Sequence, residues 1–206
     1  MKPFKSQSVA TQHAIKRFKK HGGQMRMADA MRAGVSRATL QNLLTSGVLE
    51  RLSRGLYRLA DAEPLANPDL TMVVARVPQG VICLVSALAF HELTTEIPHQ
   101  VYVAISRNSE PPRVDHPPVR SFRFSGAAFS EGIETHKIGP VAIRIYNREK
   151  TIADCFKYRN RIGLYVCLEA IRYYRRQPKL NVESLLHFAT VCRVRKIMQP
   201  YLEAIL

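Results

Sequence analysis

Apolar residues first recur at helical spacing in Val9, Ala10, Ala14, Ile15 and Phe18, with Lys16, Arg17, Lys19 and Lys20 turned outward. The spacing predicts a helix over 9–20, ended by His21-Gly22-Gly23. A short helix over 27–32 follows, with Ala30 and Met31 as its apolar side and Arg26 and Arg32 flanking it. After the turn Ala33-Gly34-Val35, Ser36 stands where an N-cap belongs, and Leu40, Leu43 and Leu44 supply the stripe of a third helix that Gly47 closes. Residues 48–52 and 56–59 then read as two strands around the tight turn Ser53-Arg54-Gly55, a β-hairpin.

Both periodicities break at 61–68, which holds Pro64 and Pro68, and a domain boundary is expected there, giving domains 1–62 and 63–206. Beyond it, helices are predicted over 70–76 and 81–93, and strands over 101–105, 120–124, 135–138 and 141–146. The last two strands, joined by Gly139-Pro140, are expected to pair antiparallel, and the Pro-rich stretch 110–118 is irregular. From Arg148 onward the spacing is helical again. The predicted fold class is therefore α+β: an N-terminal winged helix-turn-helix, then a mixed α/β domain with an antiparallel sheet and a helical tail.

Charge sharpens this picture. The chain carries a formal +15, of which residues 1–60 supply +10 through twelve Lys or Arg against Asp29 and Glu50. A local excess of that size favours a polyanionic partner. No apolar run approaches the 18 or more residues of a spanning helix, and no apolar stretch follows the charged start as in a secretory signal, so a cytoplasmic protein without membrane attachment is expected. Cys83, Cys155, Cys167 and Cys192 form no C-x-x-C pair and the seven His never fall at metal-site spacing, so no metal is expected. Without a Gly-rich phosphate loop, no nucleotide cofactor is expected either.

A helix of about eleven residues fits the major groove of B-DNA with the side chains of its start on base edges. Ser36, Arg37, Thr39, Gln41 and Asn42 occupy those positions. Arg37 suits guanine, Gln41 or Asn42 suits adenine, and Thr39 suits a phosphate or a thymine methyl. Around the hairpin, Arg51, Ser53, Arg54, Tyr57 and Arg58 make a wing suited to phosphates or the minor groove, and Arg26 adds a cation beside the second helix. These residues predict binding to duplex DNA.

The chain also resembles the AbiEi-type antitoxin family of bacterial toxin-antitoxin and phage-defence operons. The N-terminal resemblance lies in Gly22-Gly23-Gln24-Met25, in Gly34 to Leu40, and in Gly47 to Arg58, which is similar to the family's G-x-L-x-R-x-x-R-G-x-Y wing. The C-terminal resemblance lies in Ser86 to Leu93, Arg148 to Arg159 and Leu168 to Arg172. It implies a repressor of its own operon that binds inverted repeats, as a monomer or weak dimer pairing on the DNA. It further implies a second domain that counteracts a nucleotidyltransferase-like toxin. Solitary relatives act as transcription regulators alone.

In the second domain, Arg148, Glu149, Lys150, Thr151 and Asp154 are the candidate antitoxin motif. Read from the residues alone, they make a helix start in which Lys150 and Asp154 form an i, i+4 pair. A metal-dependent nuclease would have to gather Glu134, Lys137, Glu149, Lys150 and Asp154, but the spacing Glu134-Thr135-His136-Lys137 has one residue too many for an acid-x-Lys strand. No enzymatic activity is expected. His91 lies in an apolar helix without a nucleophile elbow, the setting of a core or capping residue. Arg172, Arg175, Arg176, Lys179, Arg193, Arg195 and Lys196 give the tail a second basic surface.

Overall fold

Ala14 and Phe18, wholly buried, fasten the first helix, α1 (Val9–Lys20), to its neighbours. The computed structural model describes residues 9–53, 55–62, 67–139 and 141–205. By contacts between Cα atoms the chain divides into two units, Met1–Ala75 with Lys137–Val141, and Arg76–His136 with Ala142–Leu206. The division falls after Ala75, so the helix that follows the proline-containing stretch groups mostly with the first unit. Part of that stretch, 63–66, lies outside the described residues.

In the first unit, β1 (Gln24–Arg26) follows α1 and leads into α2 (Met27–Arg32) and α3 (Arg37–Thr45). The hairpin β2 (Leu49–Ser53) and β3 (Leu56–Leu59) completes a three-stranded sheet of order β1-β3-β2, antiparallel throughout. The register pairs Met25 with Tyr57 and Leu49 with Leu59, so these four share a face. With Phe18, Ala30, Val35, Leu40 and Leu43 they form one core. A fully buried Leu or Phe contributes roughly 1.5–3 kcal/mol, and this set fixes α3 against the sheet. The pairing slips between Arg51 and Ser53, leaving Leu52 as the extra residue of a bulge that raises the twist of the hairpin. Gly55, at φ +75°, takes a conformation that L side chains rarely adopt. α4 (Pro68–Arg76) buries Leu70, Thr71, Met72 and Val73.

The second unit holds, apart from the ends of β7 and β8 within Lys137–Val141, a five-stranded sheet of order β6-β5-β4-β8-β7, built from β4 (Val81–Ile82), β5 (Val101–Ser106), β6 (Val119–Phe124), β7 (Ile133–Ile138) and β8 (Val141–Tyr146). Its helices are α5 (Leu84–Phe90), the short α6 (Ala127–Ser130), α7 (Arg148–Lys157), α8 (Arg159–Ile162), α9 (Leu164–Arg175), α10 (Val182–Val191) and α11 (Arg195–Ile205). The sheet is mixed, which corrects the expected antiparallel one: β4 runs antiparallel to β5 but parallel to β8, and β5 parallel to β6. The reason lies in the connections. Residues 107–118 return the chain to the start of β5 so that β6 runs beside it in the same direction, and β4 meets β8, a strand distant in sequence. The helix expected over 81–93 is instead β4 followed by α5, because Val81 and Ile82 pair with Ala104 and Val103.

α7 lies at the centre of this unit, with Ile152, Ala153, Cys155 and Phe156 wholly buried among residues of α5, α9, α10 and α11. Among the described residues, no helix is long and apolar enough to cross a membrane. His91, next after α5 and 7% exposed, donates a ring N–H to the Tyr146 carbonyl at 2.7 Å, a core and capping role. Burial pulls its pKa down from 6.5. A depressed folded pKa makes its contribution to stability complete above 6.5 and lost as pH falls through that value toward the folded one. Urea unfolding followed by circular dichroism is therefore expected to weaken on acidification below 6.5, and His91→Gln, which keeps a donor but does not titrate, should flatten that part of the profile. An unchanged profile would assign the acid sensitivity to other groups.

Candidate nucleic-acid interface

The sequence places α3 by two local devices. Ser36 caps it, its hydroxyl accepting from the Thr39 amide at 3.1 Å, and Leu40 and Leu43 hold its inner face in the core. Ser36, Arg37, Gln41 and Asn42 are then left exposed on the outer face, Arg37 and Gln41 one turn apart. Thr39 is half-buried and its hydroxyl is 2.9 Å from that of Ser36. α2 and α3 meet through the turn 33–36, with Val35 buried and its amide bonded to the Ala30 carbonyl at 2.9 Å. This is a helix-turn-helix arrangement. Among the described residues no ion pair engages Arg37. Ser36→Ala should lower the unfolding free energy by about 1 kcal/mol. A loss near zero in thermal unfolding would mean that water replaces the cap.

The residues expected around the hairpin separate. Arg51 is exposed on β2, and Ser53 ends that strand. Arg54 lies outside the described residues. Tyr57 is buried at 6% exposure in the core beside Met25, so its ring belongs to the packing and not to the surface that the sequence suggested. Arg58 is half-buried and turned to structure, its guanidinium bonding the Leu59 carbonyl at 3.4 Å and the Ala62 carbonyl at 3.1 Å. Arg26 ends β1 and is half-buried, and one of its terminal nitrogens is buried without a partner. Of the predicted residues, those left exposed are therefore Ser36, Arg37, Gln41 and Asn42 on α3 and Arg51 on β2. β1, which anchors the hairpin, was hidden because three residues between Gly23 and a helix carry no periodicity.

The motif 148–154 is built into the core of the second unit. Asn147 caps α7 by accepting from the Lys150 amide at 2.8 Å. Lys150 and Asp154, both 0% exposed, form an ion pair at 2.5 Å. The ammonium also lies 4.1 Å from the centre of the Tyr146 ring and 5.0 Å from that of Phe124. Cys192 donates to the other Asp154 oxygen at 3.1 Å. Burial pushes the Asp154 carboxyl up, and the neighbouring ammonium pulls it back. Thr151 bonds the Tyr146 carbonyl at 3.2 Å, and Glu149 accepts from the Tyr174 hydroxyl at 2.5 Å. Arg148 is half-buried at the start of the helix. A Cβ at Gly132, φ +73°, would stand 2.8 Å from that of Lys150, so the turn before β7 packs directly on the pair. Glu134 is held instead by His136 at 2.8 Å. Among the described residues, no group of three or more potential metal ligands exists. The seven basic residues of the tail are all exposed, and Arg175 bonds the Ile205 carbonyl at 2.7 Å.

No curated protein matches the chain. A crystal structure of the RV2827C protein from Mycobacterium tuberculosis is similar in fold, with a TM-score of 0.56 at 11% identity, covering 97% of this chain and 83% of that one. The segments 86–93, 148–159 and 168–172 lie beyond the residues that a family model matches. That match covers residues 14–60, from the buried Ala14 of α1 to the end of the hairpin, and the family to which it assigns this module is described as transcriptional regulator, AbiEi antitoxin.

Proposed function

We propose that this protein is a cytoplasmic transcriptional repressor of its own operon, which binds duplex DNA through a winged helix-turn-helix and serves as the antitoxin of a toxin-antitoxin, phage-defence pair. In this reading α3 is the recognition helix, its start on base edges in the major groove, and the hairpin β2–β3 is the wing along the backbone. The observation that carries it is the division of α3: Leu40 and Leu43 buried, Arg37, Gln41 and Asn42 exposed and Arg37 without an ion pair among the described residues. The family of residues 14–60 supports the regulator class. Operator half-sites as inverted repeats would be met by monomers or a weak dimer pairing on the DNA.

The second unit is assigned the countering of a nucleotidyltransferase-like toxin and no catalysis. Lys150 and Asp154, which a nuclease would need facing its substrate, are sealed and bonded to each other. The test is a salt-dependent titration of the full chain against duplex from immediately upstream of its gene, with random duplex of equal length as control. Selective binding that weakens steeply with salt is expected. Equal, weak binding to both duplexes would overturn the reading and leave a protein-docking role for the module. Should selectivity hold while co-expression with the adjacent gene product shows no protection, the chain acts as a stand-alone regulator.

A further inference from the structure

α3 turns about 100° per residue, so the buried Leu40 and Leu43 point in directions about 60° apart. The line opposite their bisector runs through Ala38 and Thr45, each within about 10° of it. Gln41 and Asn42 stand about 50° to either side, and Arg37, the one charge of the helix, about 90° away. Ala38, Gln41, Asn42 and Thr45 are all exposed. The most outward residue in the first turn of α3 is therefore an alanine, whose side chain has no hydrogen-bonding group. This outer line differs from that of α1 in the same unit, which turns His13, Lys16 and Lys20 to solvent. On α3 the line is short and uncharged. Thr45 directs its hydroxyl back to the Gln41 carbonyl at 3.0 Å, and the Thr39 and Ser36 hydroxyls bond each other at 2.9 Å, so these groups are engaged within the helix. With no long side chain at its crest, α3 can bring its backbone close to a surface while Gln41 and Asn42 reach forward from the flanks.

We propose that Ala38 is a specificity-determining residue of the first unit, its methyl seated on the 5-methyl group of a thymine in the major groove. This rests on the reading of α3 as the recognition helix and deepens it. The thymine methyl is the apolar group that base pairs show in that groove, and alanine is among the side chains that match it. A cytosine in its place would bring an N4 amino donor against a methyl that cannot accept from it, and a donor buried without a partner is costly. A longer side chain at position 38 would hold the helix off and draw Gln41 and Asn42, whose amides suit adenine, away from the bases. Four residues along a helix span about 6 Å, close to two base-pair steps of about 3.4 Å, so the half-site is expected to hold an adenine within two steps of that thymine.

The test uses the full chain. Duplexes are selected from a random pool, and each thymine of the preferred site is then replaced in turn by uracil, which removes the 5-methyl group and keeps the pairing. At one thymine the replacement should weaken binding about fourfold, the worth of one buried methyl. In Ala38→Gly that penalty should vanish. Glycine also loosens an exposed helix, so the quantity compared is the ratio of uracil to thymine affinity within each variant, from which any general loss of binding cancels. Ala38→Ser, gentler to the helix, should admit cytosine at the same position, because its hydroxyl can accept from the amino group. A uracil penalty that persists unchanged in Ala38→Gly overturns the proposal, and so does a preferred site in which no thymine responds to uracil. A pool that yields no preferred duplex defeats the DNA reading of α3 itself, and this proposal with it.

Discussion

Replacing Lys150 by alanine is expected to lower the unfolding free energy of the second unit by about 3–5 kcal/mol, more than any change at its surface. The substitution leaves Asp154 with Cys192 as its remaining side-chain partner in a site that is 0% exposed. It also empties the space that the aliphatic stem fills beneath Tyr146 and Phe124. The informative comparison is Lys150→Met with Asp154→Leu. Two apolar residues of similar volume remove the cost of keeping both charges out of water, and such replacements are commonly neutral or stabilising. Urea unfolding followed by circular dichroism should show a large loss for the single variant and near-normal stability for the double. Equal losses in both would mean that packing around the pair, and not an uncompensated charge, is what the single variant disturbs. A chain with no Trp needs the backbone signal for this measurement.

On the first unit, Gln41→Ala is expected to remove about 1–3 kcal/mol of discrimination at a single base pair, roughly five- to 150-fold, while leaving binding to random duplex nearly unchanged. Arg51→Ala should do the reverse, weakening every duplex alike and reducing the salt slope by about 1. The reason is positional. Gln41 stands on the exposed face of a capped helix, whereas Arg51 lies in a strand whose neighbours are backbone-paired. Competition titrations on single-base variants of the upstream duplex separate the two effects. Identical profiles for both variants would remove α3 from the role of sequence reader.

Much of the first unit was legible because its signals are local. Ser36, Gly47 and the spacing of Leu40 and Leu43 locate α3 without any distant contact. Tyr57 shows where such reading goes astray. Composition groups it with the arginines around it, yet alternation along β3 puts it on the same face as Leu59, and the core follows the alternation. In the second unit the elements were largely visible but their order in the sheet was not. Pairing of β4 with β8 and of β5 with β6 depends on how connections travel, which no window of sequence contains. Lys150 and Asp154 were readable as a pair and not as a buried one. No local signal gave the burial away: Arg148, Glu149, Lys150, Asp154 and Lys157 make half of α7 charged, and it is the packing of α5, α9, α10 and α11 around the helix that encloses the pair.

All four cysteines are buried, all belong to the core of the second unit, and the first sixty residues contain none. Burial pushes each of these thiols up, so none presents the thiolate that alkylating reagents attack. The rate at which a small electrophile labels the native protein is therefore a clock set by opening of the second unit alone, silent to any breathing of the first. A ligand that clamps the second unit slows that clock, whereas one held only by the first leaves it running, and the two kinds of ligand become distinguishable by mass spectrometry without a single introduced probe.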